Sequence, residues 1–211
     1  AADLENAFAL PVTALNDATA ACLAEIAAGN SRGYDCFAYI YVGTFIGGGL
    51  AVNGKLYTGQ NNLAGAIASM PTSVVAEGRA QQLLEGASLH YLEESAEAGG
   101  LASDVFYAEN LYDDAARAVF KSWLDVAAPR IAFAAVIAQA LFDADSIVVD
   151  SSLARHLNAE LIRAVNEAAF AHYDHRGLKG TTIVSGEIGI SARAIGSGIA
   201  PILEEYALNK L

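Results

Sequence analysis

The residues with the clearest capacity for chemistry lie between Tyr39 and Gly59. Gly43-Thr44 is followed by three consecutive glycines, Gly47, Gly48 and Gly49. Glycine reaches positive φ without strain and leaves room for a ligand to approach the backbone. Successive N–H groups in a glycine-rich turn form an anion-binding nest, which is phosphate chemistry. An ordinary β-hairpin with a tight corner uses the same residues, so both readings stay open on spacing alone. The flanking segments must position the turn. Phe37 to Val42 are β-formers, Leu50-Ala51-Val52 resume the strand pattern, and Asn53-Gly54 is a tight-turn pair leading into Lys55-Leu56-Tyr57. The pattern predicts strand, glycine-rich turn, strand, Asn-Gly hairpin and short strand.

A second polar pair, Asn16-Asp17, stands between two local patterns. Pro11 to Leu15 reads as a short strand. Ala18 to Ala28 is a strong helix former closed by Gly29, and either Asn16 or Asp17 suits its N-cap. A short helix over Asp3–Leu10 precedes them. After the hairpin come a polar loop at Gln60-Asn61-Asn62 and an acidic helix from Tyr91 to Ala98, broken by Gly99-Gly100. Leu101 to Asn110 holds room for a further short helix. Asp113-Asp114 caps a helical region from Ala115 to Phe142, with Pro129 as an interruption or a new start. Its apolar residues cover all faces, which predicts a buried helix or helix pair, or a surface shared with a second copy. Asp145 to Asp150 reads as a strand, and Ser151 to His172 as a helix with Ser152 as N-cap and Leu153, Leu157, Leu161, Val165 and Ala168 on one stripe. Thr181 to Ser185 is the last strand, and Gly189 to Leu203 a terminal helix or helix pair.

Composition narrows the class. The chain has 211 residues, 54% hydrophobic and 17% charged, enough for one large domain or one lobe of a two-lobed protein. A net charge of −12 repels phosphate backbones, so this segment is a poor surface for gripping nucleic acid. The longest apolar run, Ile131 to Phe142, is too short to span a bilayer, so no membrane partner is expected. Cys22 and Cys36 make neither a disulfide framework nor a zinc pair, and His90, His156, His172 and His175 have no metal-ligand spacing. A reduced, cytoplasmic setting is the expectation.

The stretch Val42-Gly43-Thr44-Phe45-Ile46-Gly47-Gly48-Gly49-Leu50, followed by Asn53-Gly54-Lys55-Leu56-Tyr57-Thr58-Gly59, resembles the second phosphate motif of the ROK family. That family holds repressors and sugar kinases on an actin/hexokinase-like ATPase fold. Leu15-Asn16-Asp17-Ala18-Thr19-Ala20-Ala21-Cys22-Leu23-Ala24-Glu25 is similar to the family segment Glu-Asn-Asp-Ala-Asn-Ala-Ala-Ala-Leu-Ala-Glu. Leu63 to Met70 and Gly189 to Gly198 follow two further family patterns in order. The resemblance implies an α/β fold, the C-terminal lobe of the ribonuclease H-like ATPase, with a mixed sheet flanked by helices. By the same resemblance Asp17 is the general base and Asn16 a sugar ligand, Glu85 of Leu84-Glu85 is a further sugar contact, and Gly43, Thr44, Gly47 and Gly48 bind phosphate. A carboxylate held at a helix start suits proton acceptance in phosphoryl transfer.

The chain departs from the family pattern where the chemistry is densest. Phe45 replaces a glycine, Ala66 a sugar-contacting Glu, and Ser69 a zinc-ligating His. No cysteine follows Cys36, so the family's zinc loop is missing and no zinc is expected. Asp150-Ser151-Ser152 stands where the family has a Gly-Gly against the adenosine, and these side chains are expected to crowd a nucleotide. The family's first phosphate motif is absent, and with no initiating Met the expectation is a fragment covering residues 1–211 of a C-terminal domain. The implied function is the sugar-sensing and dimerisation part of a ROK-type transcriptional regulator. Its partners would be a small sugar or sugar-derived effector and a second copy, with DNA engaged through an upstream helix-turn-helix. The alternative is a divergent sugar kinase, for which Mg-ATP is the cofactor.

Overall fold

The computed structural model describes residues 1–73, 78–109, 113–173, 176–177, 180 and 182–206, with side chains for all of these except 30, 32 and 204–206. The sequence expectations for His175 and Thr181 lie outside the described residues.

A five-stranded sheet organises the chain, in the order β3-β2-β1-β4-β5. Its strands are β1 (Phe37–Val42), β2 (Ile46–Val52), β3 (Lys55–Tyr57), β4 (Ser146–Ser151) and β5 (Ile183–Ser185). The β1–β2 and β2–β3 pairs are antiparallel, whereas β1–β4 and β4–β5 are parallel. The sheet is therefore mixed, as the resemblance implies. Asn53 and Gly54 both take positive φ, 55° and 69°, the geometry an Asn-Gly hairpin turn needs.

Seven helices accompany the strands among the described residues: α1 (Ala2–Phe8), α2 (Asp17–Ala28), α3 (Leu84–Ala87), α4 (Leu89–Ala98), α5 (Asp114–Phe142), α6 (Arg155–His172) and α7 (Ala192–Tyr206). Strand alternation sorts them into layers. Phe37, Tyr39 and Tyr41 share a buried cluster with Leu23 of α2 and Ala192 and Ala200 of α7. Ala38, Ile40 and Val42 share the larger core with α4, α5 and α6, including Phe120, Ile131, Leu157, Leu161 and Val165. Each of those large side chains contributes about 1.5–3 kcal/mol by leaving water. The result is a helix–sheet–helix sandwich.

The three glycines of β2 correct the sequence reading. Gly47, Gly48 and Gly49 are strand residues, and the turn is Gly43–Phe45. Close packing explains them. A Cβ at Gly47 would lie 2.5 Å from the Ala18 Cβ, and one at Gly49 would lie 2.5 Å from the Cys22 Cβ. On the opposite face, a Cβ at Gly48 would meet the Gly65 carbonyl oxygen at 2.9 Å. Contact with α2 and the Gly65 loop thus gives these three glycines a packing role.

Other boundaries also differ. Pro11–Leu15 is not a strand, and among the described residues it pairs with none of the five strands. The short helix expected within Leu101–Asn110 is a 3-10 turn, Ser103–Phe106. Pro129 does not interrupt α5, which runs unbroken for 29 residues. The Asp125 carbonyl loses its helix partner there, but Asp125 is exposed and water can take that place. Nor is α5 buried all round: Val126, Leu141 and Phe142 are exposed. Its length and composition would allow it to cross a bilayer, yet half of its apolar window is buried inside the fold, as in a core helix. Finally, α6 begins at Arg155 with Ala154 as cap residue, so Ser152 is not its N-cap. The Ser152 hydroxyl instead bonds the Tyr41 hydroxyl at 2.9 Å.

Candidate functional site

Two clefts open where β1 and β4 end, the place where open α/β sheets present their loops. The smaller, about 280 Å³, is lined by Asn16, Asp17, Phe45, Gly47, Gly48 and Ser69, among others. Its size is close to the lower bound of small-molecule sites, roughly 300 Å³. The larger, about 660 Å³, lies beside Tyr107, Ser151, Ser152 and the segment Ser185–Ser191.

Asn16 and Asp17 reach the smaller cleft because α2 starts at its wall. Asn16 is the N-cap: its Oδ1 accepts from the N–H groups of Ala18 and Thr19 at 3.1 and 3.3 Å. Those donors would otherwise be orphaned at the first helical turn. The Asn16 amide group remains a donor for a ligand hydroxyl. Asp17 Oδ1 accepts from Ala18 N at 2.9 Å, and Oδ2 lies 3.6 Å from Arg193 Nη1. The Asp17 side chain is 65% exposed, with Oδ2 turned to the Arg193 guanidinium.

The turn after β1 is anchored through its carbonyls. Gly43 O accepts from Leu89 N at 2.9 Å, and Thr44 O from His90 N at 3.0 Å. Ile46 N donates to Ser88 Oγ at 3.0 Å. The N-terminus of α4 thus holds the turn from behind. Phe45 is 60% exposed, and its ring lies 5.7 Å from that of His90. Gly47 and Gly48 join Asn16 and Asp17 at one cleft, with Gly43 and Thr44 on the adjoining turn.

Glu85 does not join them. Leu84 faces the Asn16–Asp17 cleft, whereas Glu85 lines a separate hollow with Tyr91, Trp123 and Val126. The Glu85 carboxylate accepts from Gln82 N at 2.9 Å and pairs with Arg79. Both contacts, the Arg79 bond foremost, hold its pKa below the usual carboxylate value. Its observed work is to hold the start of α3. Ala66 and Ser69 lie at the smaller cleft, and among the described residues no three His, Cys, Asp or Glu side chains are grouped to hold a metal.

Asp150, Ser151 and Ser152 stand in the wall of the larger cleft. All three are buried, and each is tied inward. Asp150 Oδ2 accepts from the Tyr39 hydroxyl at 3.1 Å and Gly189 N at 2.8 Å, and Oδ1 accepts from Ser151 N at 2.8 Å. Burial raises the Asp150 pKa, and these three bonds only partly oppose it. The same burial, with Asp150 beside it, raises the Tyr39 hydroxyl well above its ordinary value. Ser151 Oγ donates to Asn158 Oδ1 at 2.8 Å. Gly186, Glu187, Ile188 and Gly189 form another part of that wall.

Sequence reasoning missed the groups that join the two clefts. Arg193 belongs to the first turn of α7, and its guanidinium lies over the Tyr41 ring, 5.6 Å from the centroid. It reaches Asp17 because α7 packs on α2. A Cβ at Gly196 would lie 1.7 Å from the Ala20 carbonyl oxygen. Gly196 of the closing pattern therefore seats α7 on α2, while Ala192 and Ala200 of the same helix join the buried cluster on the sheet. No local signal announces that contact, which depends on the whole chain returning to α2.

Comparison with known proteins places this geometry in a family. The model of the ROK family matches residues 1–197. An N-acetylgalactosamine kinase of Shewanella sp. strain ANA-3 is 30% identical over 188 residues, covering 81% of this chain and 58% of that protein. A ROK hexokinase from Thermus thermophilus superposes with a TM-score of 0.67 at 24% identity, covering 92% of this chain and 66% of that one. A ROK family transcriptional regulator, a homolog of the E. coli MLC protein, superposes with a TM-score of 0.68 at 19% identity, covering 94% and 53%. The shared fold is the actin-like ATPase fold. The chain spans about half or less of the first curated relatives it matches, 49% of one and 36% of another.

Proposed function

Because this chain belongs to the ROK family, we propose that it is the sugar-sensing and dimerisation part of a ROK-type transcriptional regulator, with phosphoryl transfer lost. The observation that carries this is the state of Asp17. A general base must be free to accept a proton from the attacking hydroxyl. Here the Asp17 carboxylate faces a cation, Arg193, at 3.6 Å. Phe45 adds a bulky ring on the turn where phosphate would approach. Sugar binding survives these changes, since Asn16 and Asp17 still present a donor and an acceptor to one cleft. The exposed Val126, Leu141 and Phe142 of α5 offer apolar surface for a second copy. Sugar binding would bias the arrangement of that dimer and, through it, DNA-binding heads carried elsewhere in the native protein.

A divergent sugar kinase is the second reading. It is favoured by the open 660 Å³ cleft beside Ser152 and Gly189, and by similarity to relatives named as kinases. Mg-ATP would then occupy that cleft, with Asp17 released from Arg193 to act as base.

Two assays on the full-length protein separate the readings. A hexose and N-acetylhexosamine panel is screened by thermal shift, and ATP consumption is followed with the same sugars and Mg²⁺. The regulator reading expects a shift for at least one sugar, its loss in Asp17→Ala, and no ATP loss above the protein-free control. Sugar-dependent ATP consumption establishes the kinase. A panel with no shift, and with Asp17→Ala behaving as the parent, leaves a dimerisation module alone.

A further inference from the structure

The lining of the smaller cleft is divided in its chemistry. The start of α2 brings the Asn16 amide and the Asp17 carboxylate, and Asn62 and Ser69 add polar groups. Phe45 and Leu63 line the same cleft, and they are 60% and 68% exposed. Ala66 and Leu84 extend the apolar part of the wall. A free hexose, hydroxylated around its ring, has little apolar surface to lay against these side chains.

Both exposed side chains stand on anchored backbone. The turn that carries Phe45 is tied by the bonds from Leu89 N to the Gly43 carbonyl and from His90 N to the Thr44 carbonyl. The Phe45 ring also ends a row of rings, 5.7 Å from His90, which lies 5.3 Å from Tyr91. Leu63 belongs to a loop in which Ala64 N donates to the Thr58 carbonyl at 2.9 Å and Ala66 N to the Leu63 carbonyl at 3.1 Å. Gly65 presses that loop onto β2, where a Cβ would lie 2.6 Å from the Gly49 Cα. An apolar surface fixed in advance needs little ordering when a ligand arrives.

We propose that this cleft takes a glycoside with an uncharged aromatic aglycone. The sugar hydroxyls meet Asn16 and Asp17, and the aglycone covers Phe45 and Leu63. The inference rests on the sugar reading above and names the class of sugar. Small-molecule sites are mostly apolar with a few placed polar groups, and this lining has that balance. A flat ring suits Phe45, because paired aromatic rings gain beyond the area they bury. The net charge of −12 selects against an anionic aglycone. Asn16 and Asp17 therefore hold the sugar, while Phe45 and Leu63 decide which sugars are held well.

The test is calorimetric binding to the full-length protein and to Phe45→Ala, Leu63→Ala and Phe45→Tyr. The probes are the methyl and phenyl glycosides of glucose, galactose and N-acetylglucosamine, with phenol as the aglycone alone. For at least one sugar the phenyl glycoside should bind the parent about 10-fold more tightly than the methyl glycoside. That ratio should fall to near 1 in Phe45→Ala, fall partway in Leu63→Ala and persist in Phe45→Tyr, which keeps the ring. Both alanine variants change exposed side chains, so they should fold and bind the methyl glycosides as the parent does. Equal binding of the two glycosides, or a gain that survives Phe45→Ala, overturns the aglycone and leaves the sugar reading standing. Phenol binding as tightly as its glycosides overturns the sugar reading and with it the glycoside. Binding of no probe sinks both.

Discussion

Gly196 of α7 sits directly on the Ala20 carbonyl of α2, so near that a Cβ there would come within 1.7 Å of the oxygen. The obstacle is backbone, which cannot rotate away. Gly198, two residues further along the same helix, has nothing within 4 Å of the equivalent position. The two glycines therefore make a matched pair. Glycine costs a helix up to about 1 kcal/mol relative to alanine. Gly198→Ala should raise the melting temperature slightly. Gly196→Ala should lower it, because overpacking costs about 1–3 kcal/mol and each kcal/mol moves Tm by roughly 2–4 °C at this chain length. Thermal denaturation of both variants checks the opposite signs.

Asp150 predicts an unusual pH response. Its folded pKa is raised, chiefly by burial, so the folded state binds its proton more readily than the unfolded chain does. Its contribution to stability therefore grows as pH falls from the raised folded value toward the ordinary carboxylate value of 3.8, and is lost as pH rises through the folded value. Asp150→Asn removes the titration. The difference in Tm between parent and variant should change across that acidic window and stay level below it, as read from melts taken at intervals of half a pH unit.

Asn16 has a capping role that is observed and a sugar-binding role that is proposed, and substitution can separate them. Asn16→Ala should cost about 0.5–2 kcal/mol through the lost cap and should also weaken sugar binding. Asn16→Ser restores an N-cap acceptor but not the amide donor. Stability should recover in Asn16→Ser while affinity does not. Recovery of both would show that Asn16 acts on the ligand only through the helix.

Glu85 provides the control for the boundaries of the site. It faces away from the Asn16–Asp17 cleft and pairs with the exposed Arg79. Glu85→Gln should leave sugar affinity at the parent value and shift the melting temperature only slightly. A tenfold loss of affinity would return Glu85 to the binding surface.

The strands and the helix caps were largely legible, because their signals are local. Phe37–Val42, Asn53-Gly54 and Asp113 each declare a strand, a turn or a cap within a few residues, and the structure follows them. The glycine run misled because the same residues serve a turn or a close-packed strand. Only the distant Ala18, Cys22 and Gly65 decide between the two. Pro129 misled because a surface carbonyl can do without its helix partner. The cleft was half legible: Asn16 and Asp17 were marked by their place before a helix, but Arg193 was not. Its reach to Asp17 exists only once α7, some 175 residues later, lies against α2.

The glycines of β2 carry a mechanical consequence. Protein touches both faces of that strand at backbone distance, Ala18 and Cys22 on one side and Gly65 on the other. On the α2 side only the small side chains of Ala18 and Cys22 stand at these contacts, and tightly packed interiors are stiff. The start of α2, the second strand and the Gly65 loop are packed as one unit, which β1 joins to the opposite helical layer. The smallest residues in the chain thus make its least compliant joint, which links the mouth of the cleft to the far side of the sheet.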